Sequence, residues 1–216
     1  MAGLSVKIPV INEAFYIKPN DITQVQSALS NITTKYGSII ANVSSATFVP
    51  ADVIKSVIFI ESRGDENVRT TGVEAATGLM QVSPATAYDT IKKEIEKKRL
   101  SAPERAMLNK YLNLGAFPKT YDSNIKAQLS KNLKKPEFNI LIGSMYLGIL
   151  MELNTEKGKV RFDKVIVQYN AGFYFPLQIK ETWKKDEQSL YKSLNSVTKA
   201  YVLKFIGKNG TLDILV

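Results

Sequence analysis

Neither cysteine nor histidine occurs anywhere in the 216 residues. Their joint absence removes disulfide frameworks, Cys/His zinc sites, cysteine peptidases that rely on histidine and Ser-His-Asp triads in one step. Carboxylates and hydroxyls must do any chemistry, and no metal or cofactor is implied. Missing cysteine fits any redox compartment, so it gives no location. A long apolar run is also lacking. The strongest candidate, Ile140 to Leu153, is broken by Gly143, Ser144 and Gly148 and falls short of the ~20 residues that span a bilayer, so no membrane span is expected. The start, Met1-Ala-Gly-Leu-Ser-Val-Lys, has no basic segment followed by an apolar stretch and a small-residue cleavage site, so no secretory signal is expected. There is no internal repeat, heptad run or low-complexity segment. With 44% hydrophobic and 23% charged residues, the chain reads as one main globular domain.

What is present begins with a glutamate in an apolar stripe. In Pro50 to Glu61, Val53 and Val57 alternate with Ile54 and Ile58, and Glu61 falls four residues after Val57 and three after Ile58, on the same face. Gly64 offers a helix stop, which puts Glu61 in the last turn. The negative end of the helix dipole and apolar surroundings both disfavour ionisation there, so a raised pKa is expected. A carboxylic acid still protonated near neutral pH is what general-acid cleavage of a glycosidic bond requires. The plainer alternative is a helix-terminal glutamate reaching past the core to water.

Further blocks follow: Glu61-Ser62-Arg63-Gly64, then Gly78-Leu79-Met80-Gln81 with Pro84, Thr86 and Ala87, then Asn139-Ile140 with Gly143 and Tyr146-Leu147, and finally Tyr169-Asn170-Ala171-Gly172. In this order, over roughly residues 50 to 175, they resemble the soluble lytic transglycosylases and their goose-type lysozyme relatives, enzymes that cut peptidoglycan. The resemblance implies an α+β, mainly α-helical, lysozyme-like fold with a small β-hairpin beside the catalytic helix. Val68 to Gly78, rich in β-branched residues and glycine, is the expected hairpin. It further implies that Glu61 protonates the glycosidic oxygen between N-acetylmuramic acid and N-acetylglucosamine. The same carboxylate then acts as base on the muramic C6 hydroxyl, giving a 1,6-anhydro end.

Substrate contacts are implied for Ser62, Thr70, Gly78, Met80, Gln81, Tyr169 and Asn170. Ser62 either borders the cleft or faces water at the helix end. Thr70 matches, by its distance from Glu61, a hydroxyl near the N-acetyl group. Gly78 permits close backbone approach to a ligand, Met80 is core filler or part of the sugar-binding wall, and the Gln81 amide can bond sugar and acetamido groups. Tyr169 is either a core tyrosine or the one whose hydroxyl points toward the acid, and Asn170 holds its loop's backbone or touches sugar. A second carboxylate that could activate water, and so make a hydrolytic muramidase instead, is Glu74. A non-enzymatic virion structural protein is the remaining alternative, against which the intact Glu61 and Gln81 argue.

Around these blocks, Asp21 is expected to cap a helix carrying Ile22, Val25, Leu29 and Ile32 on one face, with Tyr36, Ile40 and Val43 continuing beyond a break at Gly37, and Ser44 to Val49 as a polar connector. Gly143, Ser144 and Gly148 predict a helix closely approached by neighbouring backbone. Gly172 is read as a helix cap, Pro176 marks the closing helices, and Leu190, Leu194, Val197, Tyr201 and Phe205 fall at helical spacing before an Asn209-Gly210 turn and a tail from Thr211. The expected division is a helical N-terminal extension over 1–46, a transglycosylase domain over 47–180 with a charged helical insertion at about 88–135, and a C-terminal helix and tail over 181–216.

The net charge is +9, and the excess concentrates between Lys92 and Lys135, where only Glu94, Glu96, Glu104 and Asp122 oppose the many lysines and arginines. A polyanionic partner such as the bacterial wall fits this distribution. Nucleic acid is not expected, because no aromatic residues interleave the lysines and no zinc-finger or RNA-binding signature is present. With no export signal, delivery from a phage tail or from the host cytoplasm through a membrane lesion is the expected route, with phage tail or other virion proteins as further partners.

Overall fold

The computed structural model describes residues 11–14, 19–156, 158–171 and 194–215. The readings made on the first ten residues and on Gly172, Pro176 and Leu190 lie outside them. The described residues are mainly helical and fall into two compact units, one formed by 28–148 and the other by 1–27 with 149–216.

Helix α1, Pro19–Thr47, begins before Asp21 and runs unbroken through Gly37 into the segment expected to be a connector. Glycine inside a helix costs about 1 kcal/mol relative to alanine. Leu29, Ile32, Tyr36, Ile40 and Val43, all buried on one face, outweigh that cost. The polar segment ends in helix because Ala46 is buried and the Thr47 hydroxyl donates back to the Val43 carbonyl at 2.9 Å. Phe48, at φ +59°, terminates the helix.

Pro50 precedes α2, Ala51–Ser62, whose Val53, Ile54, Val57 and Ile58 are buried. Its end is made by Arg63 in the left-handed conformation, with Gly64 also at positive φ. The chain then runs through an irregular segment to α3, Pro84–Glu96, which Ser83 caps by accepting the Thr86 N–H. Helix α4, Ala102–Asn109, starts with a reciprocal capping box between Ser101 and Glu104. A 3₁₀ turn at Leu114–Ala116 leads to α5, Ser123–Asn132, capped by Asp122. The segment expected to be a charged insertion is largely helical. Helix α6, Pro136–Leu153, has every residue from Phe138 to Leu147 buried, the signature of a helix inside a core rather than on its surface.

In the other unit, α7, Phe162–Ala171, packs on α8, Ser196–Ile206, with the Phe162 and Phe205 rings 5.6 Å apart. Strand β1, Ile11–Ala14, pairs in parallel with β4, Gly207–Lys208, while β2, Thr155–Glu156, and β3, Lys159–Val160, form an antiparallel pair. The C-terminal stripe differs from expectation. Val197 is exposed, and Leu194 precedes the helix, because Asn195 caps it by accepting the Thr198 N–H and so sets the buried face at Thr198, Tyr201, Val202, Phe205 and Ile206. After the turn at Asn209, which has positive φ, Thr211–Leu215 forms a short helix, α9, instead of a tail.

The expected hairpin over Val68 to Gly78 does not form as a pair of strands. Among the described residues there are only isolated bridges, Arg69 with Thr77 and Thr77 with Val82. The ladder starts: Thr70 N–H donates to Ala76 O at 3.0 Å and Gly78 N–H to Val68 O at 2.9 Å. It stops because the Ala76 N–H turns to the Thr70 side-chain oxygen at 2.8 Å, not to its carbonyl. A side chain has taken the next rung.

Candidate active site

Glu61 is half-buried in the last turn of α2, as its place in the stripe implies. The residue after it fixes what lies alongside. Ser62 is buried, and its hydroxyl is shared between Ile58 O at 3.0 Å, one turn back, and Leu79 O at 2.9 Å. The same oxygen accepts the Gly64 N–H at 3.2 Å. Ser62 thus ties the turn Gly78-Leu79-Met80-Gln81 to the helix end that carries Glu61. Its hydroxyl is spent inside the protein, so the residue anchors that turn and does not face water.

The other side of this turn is held by Asn139, on the first turn of α6 and only 1% exposed. Its side-chain oxygen accepts the Met80 N–H at 2.8 Å, and its amide donates to Thr77 O at 2.7 Å and Leu133 O at 3.0 Å. One amide therefore satisfies three buried backbone groups, which folding would otherwise leave unpaired. Gly78 exists for this contact. At φ +79° a side chain would be strained, and a Cβ would lie 2.6 Å from the Asn139 amide nitrogen and 2.9 Å from Leu133 O. The close approach that the glycine permits here is that of Asn139 and the Leu133 carbonyl.

Met80 is fully buried. It fills the notch left by Gly143, where a Cβ would come within 2.6 Å of the Met80 sulfur, and it reaches Ser144 at 4.0 Å. The core-filling alternative describes it, since a side chain with no exposed surface does not line a cleft. The close approach expected on α6 comes from this side chain rather than from a neighbouring backbone. Gly148 has only ordinary contacts around it.

Gln81 sits at φ +46° and half-buried. Both hydrogens of its amide are used locally, toward Val68 O at 2.9 Å and Gly78 O at 2.8 Å. The group left for a ligand is the amide oxygen, an acceptor for a hydroxyl or N–H. Holding a non-glycine residue at positive φ costs about 1–3 kcal/mol, which the two hydrogen bonds offset. Thr70 is exposed, and because its oxygen accepts the Ala76 N–H, its hydroxyl proton remains available.

Glu74 belongs to a different arrangement. The Lys126 ammonium donates to one carboxylate oxygen at 2.6 Å and the Tyr121 hydroxyl to the other at 2.9 Å. Partial burial pulls its pKa up, but the hydrogen bonds from Lys126 and Tyr121 and the lysine charge outweigh it and hold the carboxyl below its ordinary value. Tyr121 is itself positioned by Tyr88 of α3, whose ring packs against Phe117 and Tyr121 and whose hydroxyl donates to Pro118 O at 3.2 Å. The insertion is thereby fastened to the Val68–Gly78 loop. On the opposite flank, Tyr36 of α1 donates to Glu66 at 2.8 Å, with Lys35 at 3.5 Å from the same carboxylate.

Tyr169, half-buried, and Asn170, exposed, close α7 in the unit formed by 1–27 and 149–216, whereas Glu61, Ser62, Thr70, Glu74, Gly78, Met80 and Gln81 all belong to 28–148. No helix among the described residues is long and apolar enough to cross a membrane, and no cluster there could hold a metal ion. The residue that the expected set omitted is Asn139. Its place beside Ile140 was noted as part of a block, but nothing in its surroundings in sequence marks it as the partner of Met80.

Residues 38–130 match the family model described as the Transglycosylase SLT domain. The chain is also 24% identical over 186 residues to the membrane-bound lytic murein transglycosylase E of Buchnera aphidicola subsp. Acyrthosiphon pisum (strain APS), covering 85% of this chain and 70% of that protein. The segment matched by that family model contains Glu61, Gln81 and Glu74.

Proposed function

We propose that this lytic transglycosylase cleaves the β-1,4 bond between N-acetylmuramic acid and N-acetylglucosamine with Glu61 as its general acid and then its base, leaving 1,6-anhydromuramic ends. The carrying observation is the double anchoring of the Gly78–Gln81 turn, by Ser62 at the end of α2 and by Asn139 on α6, which fixes a rigid polar turn next to the only carboxylate in the last turn of that helix. In the proton inventory, Glu61 gives its proton to the leaving glycosidic oxygen as the C1–O bond breaks. The resulting carboxylate takes the proton of the muramic C6 hydroxyl as that oxygen bonds to C1. The enzyme ends protonated as it began, and no water is consumed.

A hydrolytic outcome needs a second carboxylate to activate water. Glu74 has both oxygens occupied by Lys126 and Tyr121 and a lowered pKa, which makes it a weak base. That favours the anhydro product over the muramidase reading. A lysozyme-like arrangement fits the helical unit around α2 and α6, with Gln81 offering its amide oxygen, and Thr70 its hydroxyl, to the acetamido sugar. Replacing Glu61 by Gln keeps the shape and removes the proton. Release of soluble fragments from purified peptidoglycan should fall about 100-fold or more, with the circular dichroism spectrum unchanged. Near wild-type release by a pure Gln variant would end the assignment.

A further inference from the structure

A cavity of about 220 Å³ lies between the Val68–Gly78 loop and the insertion. The loop contributes Arg69 and Val73, α3 contributes its first residue Pro84, and the insertion contributes Ala127, Lys131 and Lys134. Every charged side chain in the lining is a cation. The insertion's other cations include several that are neutralised, Lys126 by Glu74, Lys110 by Glu137 and Arg99 by Glu94, whereas among the described residues Arg69, Lys131 and Lys134 form no ion pair. Cations left unpaired around a concavity raise the local concentration of anions.

The rest of the lining is small: Val73, Ala75, Pro84 and Ala127 are apolar, and Thr77 and Ser130 add hydroxyls. An exposed valine alone means little. Here Val73 is 83% exposed at the edge of a cationic cavity, so an occupant would gain by covering it. An inorganic anion would use the cations and leave Val73, Pro84 and Ala127 wet. The size adds a limit, because sites that engulf a whole small molecule measure roughly 300–1,000 Å³, and this one is below that range. It suits the end of a chain, not a disaccharide.

We propose that this cavity binds the C-terminal carboxylate, with its small alkyl side chain, of a peptide stem on the glycan that the enzyme cleaves. The proposal rests on the peptidoglycan reading above. The cations hold the carboxylate, and Val73, Pro84 and Ala127 cover a methyl-sized side chain. One wall of the site, α5 with Lys134, lies in the segment expected to be a charged insertion, and the Glu74 tie to Lys126 and Tyr121 links that wall to the Val68–Gly78 loop.

The test uses acetyl-D-alanyl-D-alanine, its C-terminal amide and inorganic phosphate, titrated calorimetrically into the full chain and into a Lys131→Gln/Lys134→Gln variant whose thermal midpoint is checked. The acid should bind at least tenfold tighter than the amide and than phosphate, and the variant should lose at least tenfold in affinity for the acid. A second arm compares cleavage of intact peptidoglycan with glycan strands stripped of their peptides. The variant's ratio of the two rates should fall at least fivefold from the wild-type ratio. Equal binding of acid and amide, equal binding of phosphate, or an unaltered ratio would overturn the proposal. Binding of the acid by a chain that cuts neither substrate would leave this site in place and remove the enzymatic reading instead.

Discussion

Removing the Asn139 amide tests whether one side chain holds the candidate site together. In Asn139→Ala the Met80 N–H and the Thr77 and Leu133 carbonyls each lose a partner in a buried setting. A buried polar group left unpaired costs about 1–3 kcal/mol. Carbonyls tolerate it better than N–H groups, and neighbouring losses do not add fully. The expected total is about 3–5 kcal/mol, against a stability of roughly 5–15 kcal/mol for a typical domain. With a urea slope near 2 kcal/mol/M, the unfolding midpoint should drop by about 2 M. Asn139→Asp adds a sign to the test. Its carboxylate can still accept the Met80 N–H, but it now faces two carbonyl oxygens to which the amide had donated. Only the protonated acid can donate there, so the folded-state pKa must rise above the unfolded value of about 3.9. Stability of this variant is fully present below that value and is lost as pH rises through the folded pKa, the direction expected of a group that binds protons more tightly when folded. Urea titrations from pH 3.5 to 7.5 read both effects. A loss under 1 kcal/mol in the alanine variant, or a flat difference between Asp and Asn across that range, would refute the role given to Asn139.

Gly78→Ala should destabilise by more than ~1 kcal/mol and cut activity, since the methyl meets both Asn139 and Leu133 O in a backbone conformation that L residues avoid; thermal unfolding and fragment release measure the two. Ser101→Ala removes one half of the capping box on α4 and should cost about 0.5–2 kcal/mol with catalysis intact, which a denaturant melt checks. Glu74 is a depressed carboxyl, so its contribution to fastening the insertion is present above the unfolded pKa and lost as pH falls through the folded pKa. Glu74→Gln should weaken that acid-side loss, seen as a smaller drop in melting temperature on going from pH 6 to pH 3, while anhydro ends continue to form.

The part of the site legible in the sequence is the part written in local periodicity. The spacing of Val53, Ile54, Val57 and Ile58 puts Glu61 in the last turn of α2, and the structure agrees. What was hidden is pairing over distance. Asn139 meets Met80 across 59 residues, and Ser62 meets Leu79 across 17, and neither relation leaves a mark on the residues nearby. Glycines announced close approach without naming the neighbour, so nothing near Gly78 pointed to Asn139, and Gly143 suggested a backbone where Met80 stands. The uninterrupted α1 reflects burial overriding the propensity of Gly37, and the unfinished ladder at Ala76 reflects the Thr70 side chain competing with its own carbonyl. That Tyr88, Phe117, Tyr121 and Lys126 tie the charged segment to the Val68–Gly78 loop was likewise hidden, because these contacts join residues far apart in sequence.

Mass analysis of the muropeptides released from purified peptidoglycan tests the central claim most directly. The account predicts muramic ends lighter by one water than reducing ends and resistant to borohydride, made by the wild type and absent with Glu61→Gln. Reducing muramic ends as the main product, lost in Glu74→Gln but retained in Glu66→Gln, would contradict it and transfer the role of base to Glu74.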